Sequence, residues 1–290
     1  MTGYLNIIKP AGMTSSNVVS RVRYSLKMKK VGHAGTLDPL AVGVLPIMLG
    51  KATKMFDYLN LQTKVYITEF TFGIGTNTLD IDGEVKAKSG IIPRQKDIEN
   101  IIKNQFLGKI SQVPPKVSAI SINGKRAYDM ARAGVEFEIE PRDVEIYSFD
   151  IIRKSSEKSY MFRVECSKGT YIRSLCADVA EALGTCAYVS YLSREQSGYF
   201  KMDDGITLEQ LEDIAQKGET ARYIIPIDEP LGYMDEIHVP IEKQKAVLNG
   251  VEIKTSEENV DRLRVYCGGE FIGIGKIAEG YLKIVKMFYE

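Results

Sequence analysis

Val31-Gly32-His33-Ala34-Gly35-Thr36-Leu37-Asp38-Pro39-Leu40-Ala41 combines a histidine, an aspartate and two glycines in eleven residues. Two glycines flank His33, one of two histidines in 290 residues, and Asp38 stands directly before Pro39. Glycine reaches backbone conformations that a Cβ forbids, and proline pushes the residue before it out of the helical region. The Asp38 carboxylate is therefore expected on a stiff turn. The run behind it, Val42-Gly43-Val44-Leu45-Pro46-Ile47-Met48-Leu49, is too apolar for a solvated loop and too interrupted by Gly and Pro for a helix. A polar turn thus abuts a core segment. Residue types alone also admit a plainer reading, in which Asp38 caps a helix.

The size allows one large domain with a small one, or two comparable ones. Apolar residues make up 44% and charged residues 26%, the proportions of an ordinary globular protein. No apolar run reaches membrane-spanning length, and Met1-Thr2-Gly3-Tyr4-Leu5-Asn6 does not open a signal peptide, so a cytoplasmic protein with no membrane partner is expected. Cys166, Cys176, Cys186 and Cys267 form no Cys-x-x-Cys pair and read as reduced, buried thiols. No metal site is expected.

Zero formal net charge argues against a nucleic-acid partner until its distribution is considered. Residues 1–68 hold nine bases against two acids, and the rest of the chain carries the opposite excess. Arg21, Arg23, Lys27, Lys29 and Lys30 crowd together with no acid among them. Such a run suits a solvated helix face or contacts to phosphates.

Periodicity sets the remaining elements. A short strand at 4–8 precedes Lys9-Pro10-Ala11-Gly12, and a helix capped by Thr14-Ser15-Ser16 is expected to about Met28, with a second helix at 51–60. Lys64-Val65-Tyr66-Ile67-Thr68-Glu69-Phe70-Thr71-Phe72 alternates as a strand. A helical stripe on Ile98, Ile101, Ile102 and Phe106 follows, then a hairpin signal at Asn123-Gly124, with Lys125, Arg126 and Arg132 on a short helix to Gly134. The strand 160–166 feeds a tight turn and a helix ending near Gly184. Arg173 falls in the first turn of that helix, at the positive end of the dipole, and wants a carboxylate partner. Residues 200–205 read as a break and 208–216 as a helix. Strands around 263–267, 271–275 and 282–285 make the last part a small β module.

Gly32-His33-Ala34-Gly35-Thr36-Leu37-Asp38-Pro39-Leu40-Ala41 resembles the signature of the TruB-type tRNA pseudouridine synthases, bacterial enzymes that isomerise uridine 55 in the T-loop of tRNA. Further blocks are similar to that family: Lys9-Pro10 with Gly12, Thr14 and Ser15; Lys64-Val65-Tyr66 running into Gly75-Thr76-Asn77-Thr78-Leu79-Asp80-Ile81-Asp82-Gly83; and Lys168-Gly169-Thr170-Tyr171-Ile172-Arg173. Phe72 stands where the family usually has Leu. The resemblance covers about residues 3–211. It implies an α+β fold, with a mixed, largely antiparallel sheet in a catalytic domain at 1–228, an insertion at about 114–142 that folds over the RNA, and a small β-rich PUA-like RNA-binding domain at 229–290.

By the same resemblance Asp38 is the indispensable catalytic residue, Arg173 pairs with it, and Tyr66 stacks on the base and is implicated in removing the C5 proton. His33 wedges or stacks where the base leaves, and Tyr171 and Leu192 receive it. The implied reaction needs no cofactor or metal, the partner is the T-arm stem-loop of tRNA, and a monomer with no protein partner is expected. Residue types alone leave plainer alternatives open: a half-buried strand tyrosine at 66, a surface salt bridge at 173, core packing at 192.

Two other functions are compatible with parts of this pattern. A nucleoside or glycoside hydrolase also cleaves a bond at C1′ but ordinarily needs a second carboxylate or a metal, and none is evident beside Asp38 in the sequence. A non-catalytic tRNA-binding or folding module would not call for Asp38, Tyr66 and Arg173 together. Other motifs fail: a P-loop ending at Gly50-Lys51-Ala52 would need Gly at 45 and Ser or Thr at 52, where Leu45 and Ala52 stand, and Gly273-Ile274-Gly275-Lys276-Ile277-Ala278 lies too near the end for a dinucleotide unit.

Overall fold

The structure, a computed structural model, describes residues 1–118, 121–122, 124–127, 130, 133, 135 and 137–288. Asn123, Arg132 and Gly134, on which part of the hairpin and short-helix reading rests, lie outside the described residues. The chain is α+β and is built on a nine-stranded sheet. Seven strands follow the spatial order Gly3–Lys9, Val42–Leu49, Ala187–Ser197, Thr63–Phe72, Ser159–Ser167, Arg142–Lys154, Gly108–Gln112, with Val31–His33 and Phe200–Lys201 paired beside this path. Val42–Leu49 runs parallel to Ala187–Ser197; the other neighbours are antiparallel.

Thr68, Phe70 and Phe72 alternate inward along Thr63–Phe72 as a period of two requires, all at 0% exposure. Phe70 packs on Phe162 at 4.6 Å between ring centroids and Phe149 on Phe162 at 5.3 Å. Each such pair adds roughly 0.5–1.5 kcal/mol beyond its burial. Phe72, the departure from the family's Leu, stacks edge-on against Tyr160 within this cluster.

The helix Ser15–Leu26 buries Val18, Val19, Val22 and Leu26 on one stripe, and its first turn is capped by Thr14, whose hydroxyl accepts from the Asn17 N–H at 3.1 Å. It stops short of Met28 because Lys27 turns left-handed at φ 51°. The helix Leu208–Gln216 has a full capping box between Thr207 and Gln210. Two expectations fail. Residues 51–60 form no second helix but two short 3₁₀ turns, Gly50–Lys54 and Phe56–Tyr58, because the chain turns at Met55 (φ −94°, ψ −1°) to drop Met55, Leu59 and Leu61 into the core. Residues 200–205 are not a plain break: Phe200–Lys201 pairs with Ser197 and Gln196, and Met202–Asp204 is a 3₁₀ turn.

The C-terminal part is a second, five-stranded sheet in the order Glu236–Val239, Val260–Cys267, Glu270–Ala278, Tyr281–Met287, Ile253–Lys254. It is seated against the first: Ile274 and Phe288 share one buried cluster with Tyr4, Met48 and Phe200.

Candidate active site

Asp38 caps no helix. The chain turns through its carbonyl, which accepts from the Ala41 N–H at 3.1 Å, and then enters the Val42–Leu49 strand. Gly35 supplies the tight approach at φ +95°. Two buried cations hold this turn by its backbone. Arg194, fully buried, donates to the carbonyl oxygens of Val44 at 2.8 Å, Gly35 at 3.0 Å and Thr36 at 3.2 Å. Lys9, also fully buried, donates to Met13 at 2.6 Å, Pro10 at 2.8 Å and Pro39 at 3.1 Å. Both donate to carbonyls and neither forms an ion pair among the described residues; burial lowers each pKa, Lys9 to about 8, while the nearby Asp38 charge acts in the opposite direction.

Arg173 enters from the opposite wall, in the first turn of the helix Ile172–Ala182. No side chain caps that helix; the buried amide of Gln112 instead clamps Tyr171, accepting from its N–H at 2.8 Å and donating to its carbonyl at 3.1 Å. The Arg173 side chain is 3% exposed. Its Nε lies 2.9 Å from Asp38 Oδ2 and its Nη1 lies 3.3 Å from Asp80 Oδ2. Nη1 and Nη2 also donate to the carbonyls of Thr78 and Val117 at 2.9 and 3.0 Å. The helix dipole and the guanidinium are both positive here, and the two carboxylates offset them.

Asp80 is held as firmly. Its backbone bridges Val189 on the Ala187–Ser197 strand, and its Oδ1 accepts from the Thr78 hydroxyl at 2.5 Å and the Asp82 N–H at 3.2 Å. Burial raises its pKa, while Thr78 and Arg173 act in the opposite direction. Tyr66 lies across the cavity, 7% exposed and within hydrogen-bonding reach of Arg194; burial pushes its phenol up to about 12, so it is neutral near pH 7. The Tyr171 phenol is raised by burial as well.

Asp38, Lys64, Tyr66, Tyr171, Arg173 and Leu192 line one cavity of about 360 Å³. Of the residues singled out in the sequence, five therefore meet at one place. His33 does not: it lies in a neighbouring depression with Arg23, Lys29, Lys30 and Phe56. Burial and the Arg194 charge lower the His33 pKa. The basic run is partly used up, since Arg21 pairs with Glu209 and Glu212 and Arg23 donates to the Val31 carbonyl. Among the described residues no group of three His, Cys, Asp or Glu is placed to hold a metal ion.

Asp80, Arg194, Lys9 and Lys64 were not singled out as site residues in the sequence. One signal was present for Asp80, in the carboxylate that Arg173 demanded and the acidic loop 76–83. Lys9 and Lys64 stand in the blocks that resemble the family, and Arg194 is recognisable only once distant strands are assembled.

Comparison with known proteins shows the family. The model of the TruB family pseudouridylate synthase N-terminal domain matches residues 23–172, a span holding Asp38, Tyr66 and Asp80. The chain belongs to the TruB family of pseudouridylate synthases. The family's tRNA pseudouridylate synthase B C-terminal domain follows at 173–242, and a pseudouridine synthase II TruB C-terminal model matches 236–285. Among TruB relatives, tRNA pseudouridine synthase B of Clostridium kluyveri is 46% identical over 99% of this chain and all of its own. That of Alkaliphilus oremlandii is 43% identical over 100% of this chain and 99% of its own. In fold, the chain is similar to one in a Cbf5-Nop10-Gar1 complex (TM-score 0.71, 27% identity, 99% of this chain and 84% of that one). It is also similar to one in an H/ACA RNP bound to a substrate RNA containing 2′-deoxyuridine (TM-score 0.73, 25% identity, 99% and 85%).

Proposed function

We infer that this chain converts uridine to pseudouridine in tRNA, and that its target is uridine 55 in the T-arm. The observation that carries the reading is the Asp38–Arg173 ion pair at 2.9 Å, set at a cavity lined by Tyr66, Tyr171 and Leu192 in a chain of the TruB family.

The uridine must leave its stack to reach Asp38, at roughly a few kcal/mol. His33, in the separate depression lined by Arg23, Lys29 and Lys30 and neutral at pH 7, is the residue proposed to wedge or stack where the base leaves. Tyr66, Tyr171 and Leu192 then receive the base. Arg173, 2.9 Å away, keeps the Asp38 carboxylate in one rotamer, so it meets the ribose or the base without reorganising. The C1′–N1 bond breaks, the base turns, and C5 joins C1′; Tyr66 stacks on the base, and because burial holds its phenol neutral it accepts the C5 proton only as the phenolate, the form that the adjacent Arg194 charge favours. The overall reaction conserves mass and oxidation state, so no redox cofactor is required.

A hydrolase reading has one point in favour, since Asp80 brings a second carboxylate near Asp38. Asp80 is, however, buried and occupied by Arg173, Thr78 and Asp82, which leaves it unsuited to activate water. A hydrolase would also release free uracil. We further propose a monomer, a domain boundary near residue 229, an insertion at 114–142 over the RNA, and a PUA-like RNA-binding role for the second sheet.

The test is to treat an unmodified tRNA transcript and an isolated T-arm stem-loop with the full chain, digest to nucleosides, and map pseudouridine. Equal conversion of both RNAs at position 55 supports the reading. Free uracil, or pseudouridine elsewhere only, overturns it.

A further inference from the structure

Lys64 is a cation at the cavity without an anion to match it. It stands two residues before Tyr66 on the central strand Thr63–Phe72, so both side chains leave the same face, and both line the cavity. The strand pairs on one side with Cys166 and on the other with Ser197, both buried, so the lysine stem rises from the middle of the sheet. A Cβ placed on Gly35 would lie 3.3 Å from Lys64 Nζ and 3.7 Å from Arg194 Nη1. Two cations therefore flank one point of the turn that carries Asp38. Among the described residues, the half-buried Lys64 forms no ion pair and its ammonium no hydrogen bond, whereas the buried Arg173, which lines the same cavity, is balanced by two carboxylates. The charged or titratable groups acting on Lys64 are Arg194 and Lys168, which oppose its charge, and the neutral Cys166 thiol.

An uncompensated ammonium in a partly dry cavity is costly unless the reaction supplies negative charge. The isomerisation inferred above supplies it on the base: when the C1′–N1 bond breaks, its electron pair stays with N1 and spreads onto the carbonyl oxygens of uracil. We propose that Lys64 is a further catalytic residue of this site, donating a hydrogen bond from its ammonium to a uracil carbonyl oxygen and balancing the charge the base carries while detached. No proton is transferred. The electron pair returns to carbon when C5 bonds to C1′, and the C5 proton then leaves to a separate base. A phosphate is the poorer partner for this lysine. Phosphates flank the ribose and stay at the rim, where the exposed Arg142 lines the same cavity, whereas the base enters first and deepest, beside Tyr66.

The proposal rests on the pseudouridine reading, and the experiment separates the two. Wild type, Lys64→Met and Lys64→Arg are compared on an unmodified tRNA transcript, for the single-turnover rate of pseudouridine formation at saturating enzyme and for Kd at two salt concentrations. An inactive wild type refutes the reading of the site and the proposal with it. With an active wild type, Lys64→Met is expected to lower the single-turnover rate roughly a hundredfold, the scale of losing one preorganised donor to a developing anion. Its Kd should change less than about threefold with an unaltered salt slope, a split that a phosphate contact would reverse.

Burial and Arg194 lower Lys64 to about 8, so the wild-type rate is expected to fall as pH rises through that value. Lys64→Arg keeps the charge to higher pH and should move this fall upward. Lys9, also lowered to about 8, is intact in that variant, so a fall that stays in place belongs elsewhere and counts against Lys64. A rate within threefold of wild type in Lys64→Met, or a weaker Kd with a shallower salt slope and an unchanged rate, overturns the proposal. If Lys64→Met does not fold, the pH profiles of wild type and Lys64→Arg decide alone.

Discussion

Gly43 and Arg194 face each other across the parallel junction of the main sheet, so closely that a Cβ on Gly43 would stand 2.3 Å from the Arg194 carbonyl oxygen. The junction joins the strand leaving the Asp38 turn to the strand carrying Leu192. Gly43 has φ +106°, strained for any side chain, so Gly43→Ala meets both a clash and an unfavourable backbone. It is expected to cost about 2 kcal/mol or more. A lowered urea midpoint with an unchanged slope would show it.

Arg194→Met keeps bulk and removes the donors. The carbonyls of Gly35, Thr36 and Val44 then lose their buried partner, and roughly 3 kcal/mol of stability should go with them. Because those bonds hold the turn, the single-turnover rate of the surviving folded protein should fall more than its affinity for tRNA. A variant as stable as wild type would show that the turn stands without this clamp.

Asp80→Asn preserves shape and removes one of the two carboxylates against Arg173. A charged hydrogen-bonding partner contributes about 1.5–3 kcal/mol, which places the expected loss of rate between roughly tenfold and a hundredfold. Single-turnover assays measure this. Wild-type rates in the variant would mean that Asp38 alone suffices to hold the guanidinium.

His33 yields a pH prediction. Its folded pKa lies below the ordinary value of 6.5, chiefly from burial, so on acidification the unfolded chain takes up the proton first. The contribution is fully present above about pH 6.5 and is lost as pH falls through that value towards the folded pKa. Wild type should therefore lose stability relative to His33→Gln between pH 7.5 and pH 5.5, measured as the difference in denaturation midpoints. A difference that stays constant over that interval would contradict a depressed His33.

What was legible in the sequence was local. The Gly-and-Pro setting of Asp38 announced a stiff turn, and Arg173 at a helix start called for a carboxylate on electrostatic grounds alone; the period of two in residues 64–72 gave the central strand. Asp80, Arg194 and Lys9 escaped because their meaning lies in contacts made far along the chain: Arg173 reaches the Thr78 carbonyl 95 residues away, and Arg194 reaches Val44 across 150. A buried cation held by backbone carbonyls leaves no charge pattern to read. The failed helix at 51–60 has the same origin, since Ala52, Met55 and Leu59 are spaced like a helical stripe, yet the core they fill requires a turn at Met55.

Isomerisation of uridine in tRNA is assigned above to Asp38, held by Arg173. Its most direct test is tritium release from C5-labelled uridine in an unmodified tRNA transcript, comparing wild type with Asp38→Asn, which keeps the shape and removes the charge. Release by wild type with pseudouridine formed in equal amount, no detectable release by the variant, and near-equal tRNA binding by both are expected. Release by the variant at a rate near that of wild type, or binding by both proteins with release by neither, would contradict it.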